Sequence, residues 1–194
     1  MDEGYIKFNC NWIRGRPIEK GKLVEINKWR QNLYRLGLIG KYPNGVGFGN
    51  ISIREGSGFF ITGSKTGGLS LLDENHYTKV VDFDLETNSL TCMGPIIASS
   101  ESITHAVFYQ VDPNINAVIH VHNNNLWKRL LGKVPTSAHD VPYGTPEIAR
   151  EVLRLYKTKP FKKKRILVMA GHEDGIISFG KNLEEAGKTL LSYL

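Results

Sequence analysis

The segment Ala117-Val-Ile-His-Val-His122 constrains this chain more than any other. Ala117 to Val121 is apolar and β-branched, the composition of a buried strand. Strand side chains alternate between faces, so residues two apart point the same way. His120 and His122 therefore emerge together near a strand end, where the polar run Asn123-Asn124-Asn125 follows at once. Two imidazoles on one face are half of a metal site. Read by themselves, they are equally two hydrogen-bonded histidines beside a turn. The rest of the chain has to supply a further ligand and a general base.

A chain of 194 residues suits one domain, here expected over 1–194, and is long enough to bury a sizeable core. Hydrophobic residues at 41% and charged residues at 23% are ordinary for a globular protein. With only Cys10 and Cys92, neither a disulfide framework nor a cysteine-rich zinc module is available. Met1-Asp-Glu-Gly-Tyr5 has the form of no leader, and no apolar run reaches bilayer length. The expectation is a cytoplasmic protein with no membrane partner. The net charge of +6 raises the question of nucleic acid. Much of the excess sits in Lys157, Lys159, Lys162, Lys163, Lys164 and Arg165, read as a solvated connection into the apolar stretch Ile166–Ala170. No zinc finger, RNA-recognition aromatic pattern or helix-turn-helix spacing accompanies it, so no nucleic-acid partner is expected.

Periodicity predicts a helix from Glu19 to about Leu36, with Leu23, Ile26, Leu33 and Leu36 on one face and Gly37 and Gly40 as stops. Strands are expected at 50–53, 59–62, 78–83 and 89–93, in hairpin-like pairs around Gly56-Ser-Gly58 and Glu86-Thr-Asn88. A helix should open at Ser99 or Ser100 and run through Tyr109, followed by the histidine-bearing strand and a short helix over 126–131. Thr145-Pro146-Glu147 is a helix start, with an N-cap hydroxyl, proline at the first helical position and a carboxylate near the positive end. Strands follow at 166–170 and 175–179, and Asn182-Leu-Glu-Glu185 resembles a capping box that opens the last helix. The elements mix without regular βαβ alternation. That predicts an α/β domain whose helices pack on a largely antiparallel sheet.

Three further constellations carry chemistry. Gly171-His-Glu-Asp-Gly175 follows a buried strand and offers His172 as a third imidazole, with Asp174 or Glu173 as competitors. Catalytic zinc commonly takes three protein ligands and keeps one open position. In Ala98-Ser-Ser-Glu-Ser102, the hydroxyls of Ser99 and Ser100 and the free N–H groups of a helix start can hold an anion such as phosphate. Glu101 beside them could move a proton, or be a dipole-favoured residue near an ordinary cap. Ile61-Thr-Gly-Ser-Lys-Thr-Gly-Gly68 is not a P-loop, because Ser64 separates Gly63 from Lys65. Its N–H groups and hydroxyls could still contact phosphate, or simply turn the chain after a strand. A nucleophile elbow and an H-E-x-x-H helix are both missing.

Taken in order, Gly49-Asn-Ile-Ser52, Phe60-Ile-Thr62, Ser99-Ser-Glu101, His105, Ala117-Val-Ile-His-Val-His122 and Gly171-His172 resemble the class II aldolase/adducin family. The resemblance runs from about Lys22 to the C-terminus. It implies a single three-layer α/β/α domain around a largely antiparallel sheet, often a homo-oligomer, typically a tetramer with sites between subunits. It also implies a divalent metal, usually zinc, held by His120, His122 and His172, with Glu101 as catalytic acid/base. Asn50, Ser99 and Ser100 would contact phosphate, with Thr62, Gly63 and Ser64 as loop contributors. The implied activity is that of a metal-dependent lyase, fuculose-phosphate aldolase-like, cleaving a small phosphorylated ketose through a metal-stabilised enediolate. Sugar-phosphate 4-epimerases, dehydratases and noncatalytic adducin-like modules share the scaffold. Two departures stand out. Glu173 and Asp174 separate His172 from Gly175, where the family pattern places the glycine directly after the histidine. The stretch from His122 to Tyr143 is short, which leaves His139 or Tyr143 to replace an aromatic residue that relatives carry there.

Overall fold

The computed structural model describes residues 4–194; Met1, Asp2 and Glu3, part of the N-terminus read above for a leader, lie outside the described residues. In chain order the elements are β1 (Asn9–Arg14), α1 (Val24–Arg35), β2 (Gly40–Lys41), β3 (Gly47–Phe48), β4 (Asn50–Glu55), β5 (Gly58–Thr62), β6 (Tyr77–Asp84) and β7 (Ser89–Gly94). Then come α2 (Ser102–Val111), β8 (Ala117–His122), α3 (Asn124–Leu130), α4 (Pro146–Tyr156), α5 (Lys159–Lys164), β9 (Ile166–Val168), β10 (Gly175–Gly180) and α6 (Leu183–Leu191). Eight strands form one sheet in the order β1-β7-β6-β5-β4-β8-β10-β9. Every pairing in it is antiparallel except the parallel β1–β7 edge.

Two apolar cores, one on each face, make the three layers. Val118, Ile61, Ile177 and Phe179 point to the face covered by α2, α4 and α5, where Ile103, Val107, Ile148, Val152 and Phe161 meet them. Ile119, Val121, Ile51 and Ile176 point to the face covered by α1, α3 and α6, against Ile26, Leu33, Leu126, Leu183 and Leu190. Each such side chain contributes about 1.5–3 kcal/mol relative to leaving it exposed. β8 lies between β4 and β10 with all six residues buried, which is why its sequence is apolar on both faces. His120 and His122 share the face of Val118, as the alternation requires.

Local signals account for most element ends. Asn123 caps α3 by accepting the Leu126 N–H at 2.8 Å, and Asn182 caps α6 by accepting the Glu185 N–H at 2.8 Å. Glu185 reaches back to the N–H of Lys181 at 2.7 Å, one residue earlier than a capping box requires. Thr145 does not cap α4, since its hydroxyl donates to the Pro142 carbonyl instead. Leu36 leaves the buried stripe of α1 and is 49% exposed, because the helix ends one residue before it. α2 begins at Ser102 rather than at Ser99 or Ser100: Ala98 is bridged to Gly63, so the chain turns through Ser99–Glu101 before it coils. The basic connection contains a short helix, α5, anchored by buried Phe161 with its lysines outside. β1 had no clear sequence signal, because an edge strand reading Asn-Cys-Asn-Trp-Ile-Arg is half exposed and weakly alternating.

Candidate metal centre and anion cleft

His120, His122 and His172 converge. His122 Nε2 lies 3.0 Å from His120 Nε2 and 3.1 Å from His172 Nε2. One ring nitrogen from each lies within 4.8 Å of the other two, and all three residues are buried. β8 delivers the first two by strand alternation. β10 pairs with β8 so that Gly175 faces His122, and the turn preceding Gly175 carries His172 to the same place. Gly175 N–H donates to the His172 carbonyl at 2.9 Å, with Asp174 at φ +69° inside that turn. A Cβ on Gly175 would come within 2.4 Å of the His172 ring, so glycine is required there. The two extra residues, Glu173 and Asp174, are thus taken up by a tight turn. Asp174 faces away from the histidines, accepting from Asn124 Nδ2 at 2.5 Å.

Burial pushes all three imidazoles toward their neutral forms. It holds His120 at about 4, opposed by the Ile176 carbonyl. It lowers His122 and His172 well below the usual range, helped in both by the charge that His120 would carry. Tyr42 OH meets His122 Nδ1 at 2.8 Å. With Nδ1–H donating to that hydroxyl oxygen, the Nε2 lone pair is bare and turned toward the other two rings. Neutral nitrogens at this spacing repel unless a cation or proton lies among them. Tetrahedral zinc places its nitrogen ligands about 3.3 Å apart. The donor set and its spacing fit a divalent ion.

Asn50, Gly63, Ser64, Ser99 and Ser100 line a single narrow cleft. Ser64 N–H donates to the Ile97 carbonyl at 2.9 Å, which ties the glycine-rich loop to the turn that precedes α2. Gly144, at φ +65°, closes on the Ser100 carbonyl so tightly that a Cβ would approach it to 2.9 Å. Thr62 is turned inward, its hydroxyl accepting the Ile51 N–H at 3.2 Å, and it does not line the cleft. Glu101 follows Ser100 directly and is 1% exposed. Cleft and histidines meet in β4, where Asn50 pairs in register with His120.

His139 is exposed and outside the histidine group. Tyr143 is buried, and its ring centroid lies 4.5 Å from that of His172. Tyr42 and Phe48 were not singled out from sequence. The hairpin of β2 and β3 sets both against His122, with the Phe48 ring at 5.4 Å, and only the turn pair Asn44-Gly45 marks that hairpin in the sequence.

The sequence profile of the class II aldolase and adducin N-terminal domain matches residues 41–193. The chain belongs to that family. No curated protein matches the sequence. Among solved structures it is similar to an L-fuculose-1-phosphate aldolase from Thermus thermophilus, with 23% identity, 86% of each chain covered and a TM-score of 0.61. A sugar-phosphate aldolase from Thermotoga maritima is 18% identical, with 87% of this chain and 88% of that one covered at a TM-score of 0.67. YgbL from Escherichia coli, whose description leaves aldolase, epimerase and decarboxylase open, is 17% identical over 89% of this chain and 84% of its own, with a TM-score of 0.64. At these identities the likeness establishes the α/β fold. Among the described residues no helix is long and apolar enough to cross a membrane.

Proposed function

We propose that this chain is a metal-dependent aldehyde-lyase acting on a small phosphorylated ketose, in the manner of fuculose-phosphate aldolases. The observation that carries the proposal is the convergence of three buried, neutral imidazoles beside a cleft of hydroxyls and glycine-rich backbone. His120, His122 and His172 would hold a divalent ion, zinc by its preference for imidazole in such sites. Bound there, the ion supplies Lewis-acid stabilisation of the negative charge that develops as the carbon–carbon bond breaks.

The chain's own groups do the rest. Ser99, Ser100, Asn50, the Ser64 side chain and the amides of the loop that follows it hold the phosphate and so fix the reacting carbons, since the Gly63 and Ser64 N–H groups are taken up by the His76 and Ile97 carbonyls. The hydroxyl on the departing carbon passes its proton to a base from solvent as that carbon becomes the aldehyde. The electron pair of the broken bond stays on the phosphorylated fragment, whose carbon takes a proton from Glu101. Burial of Glu101 keeps water from competing for that proton.

The test is metal analysis of the purified protein followed by a panel of ketose phosphates. The panel is assayed in parallel for aldehyde release, epimerisation and water loss. The expected result is about one divalent ion per chain, with aldehyde release that falls roughly 10²–10⁴-fold in Glu101→Gln while the metal stays bound. Epimerisation or dehydration in place of aldehyde release would transfer the proposal to those chemistries. Absence of both metal and turnover would leave a noncatalytic module. Light scattering on the same sample tests for the homo-oligomer expected of this family.

A further inference from the structure

Arg30 sits on the buried stripe of α1 and is 1% exposed. Its Nη2 donates to the carbonyls of Thr66 and Gly67, at 3.0 Å each. One helical turn later, Tyr34 OH donates to the carbonyl of Gly68 at 3.4 Å. Residues four apart share a helix face, so α1 grips three successive carbonyls from one side. The described chain has no cis peptide, and a trans peptide points its N–H opposite to its C=O. The amides of Gly67 and Gly68 are therefore turned away from α1. Among the described residues, no backbone hydrogen bond outside the helices and strands takes its N–H from Lys65, Thr66, Gly67 or Gly68. Thr66 and Gly67 line the same cleft as Ser99 and Ser100.

The charge of Arg30 is the second observation. Its Nη1 is buried with no hydrogen-bond partner, and no carboxylate of the described residues pairs with the guanidinium. A buried cation without a counterion is costly, and the Tyr34 ring, 4.8 Å from the guanidinium carbon, offsets that only in part. An anion in the cleft would stand one peptide unit away from it. Hydrogen bonds from a cation also polarise the peptides that accept them and strengthen their N–H groups as donors.

We infer that Arg30 is a positioning residue for a phosphate group bound in the cleft, acting through the Thr66–Gly68 carbonyls to orient and polarise the loop's amides. This rests on reading the cleft as the phosphate end of the proposed site. Sequence inspection passes over Arg30, which neither reaches the cleft surface nor belongs to any of the motifs quoted above.

The test measures inorganic phosphate binding by calorimetry, and the phosphate-dependent rise in melting temperature, for wild type, Arg30→Met and Arg30→Lys. Metal content is determined in each. Arg30→Met should raise the phosphate Kd about 10–100-fold with bound metal unchanged. Arg30→Lys keeps the charge but cannot hold two carbonyls with a planar fork, so a rise of about 3–10-fold is expected. A merely structural arginine would lower the melting temperature without changing the increment that phosphate adds. Variants that bind phosphate as wild type does, or failure of both to fold, would assign Arg30 to the scaffold and overturn the inference. Wild type that takes no phosphate overturns the reading of the cleft, and the inference with it; phosphate bound equally by all three removes only the part given to Arg30.

Discussion

The histidine centre and the anion cleft adjoin each other, yet they are built by opposite means. The centre is made of side chains held by regular structure: two from one strand, the third from the turn that feeds the neighbouring strand. The cleft is lined by glycine-rich backbone and by Ser64, Thr66, Ser99 and Ser100, with the loop carbonyls of Thr66 and Gly67 held from behind. In the centre, burial neutralises the groups and leaves lone pairs facing inward. Around the cleft, burial leaves a guanidinium met by two carbonyls and the Tyr34 ring but by no carboxylate of the described residues, with Nη1 unbonded. On the proposed reading one region receives a cation and the other an anion, and Asn50 opposite His120 is where they touch.

The largest expected effect separates the two. His120→Ala removes a ligand from a strand whose neighbours on both sides fix its register, so the cleft should survive. Bound metal should fall close to zero and catalysis by roughly 10³-fold or more, the scale of several kcal/mol of lost Lewis-acid stabilisation. Inorganic phosphate should still bind within about twofold of wild type, since additivity holds for sites that share no partner. Full metal occupancy in this variant would sink the ligand assignment. Lost phosphate binding would mean that the two regions are one cooperative unit joined through Asn50.

This contrast also explains what was legible in the sequence. His120 and His122 could be placed on one face because a strand has period two; Ile26 and Leu33, spaced on one helical face, and Ile119, in the apolar strand, lie in the core for similar reasons. His172 could be named, but not chosen over Asp174, because a turn has no period. Only the pairing of Gly175 with His122 and the hydrogen bond from Asn124 to Asp174 decide it. The turn at Ser99–Glu101 reads as helix in the sequence because its cause, the bridge between Gly63 and Ala98, spans 35 residues. Arg30 was visible in principle. Leu23, Ile26 and Leu33 define a stripe, and a charge at position 30 interrupts it. Such an interruption reads as noise until the loop it supports is known. Tyr42 carries no signal of its own, since its role depends on a two-stranded hairpin that only Asn44-Gly45 marks in the sequence.

A smaller change sharpens the centre alone. Tyr42→Phe removes the hydroxyl from His122 Nδ1 and nothing else from the ring's surroundings. Partners of this kind fix tautomer and ring orientation, and their loss typically costs 10–100-fold in metal affinity, measured by competition with a chromogenic chelator. Phosphate affinity should not move. If metal affinity is also unchanged, the tautomer of His122 is set by the protein field rather than by Tyr42.

The smallest effect belongs to the cleft. Ser100→Ala takes one hydroxyl from a phosphate otherwise held by several amides, so the loss should be that of a single hydrogen bond. At about 1–1.5 kcal/mol, the phosphate Kd rises roughly 5–10-fold while metal content stays at the wild-type value. The test becomes more demanding when Ser100→Ala is combined with Arg30→Lys. Two groups acting on the same anion, Ser100 directly and Arg30 through the loop's amides, should lose less together than the sum of their separate losses, because the weakened phosphate shifts toward whatever donors are left. Strict additivity would place Arg30 outside the phosphate's field and leave the serine turn and the glycine-rich loop as independent halves of the cleft.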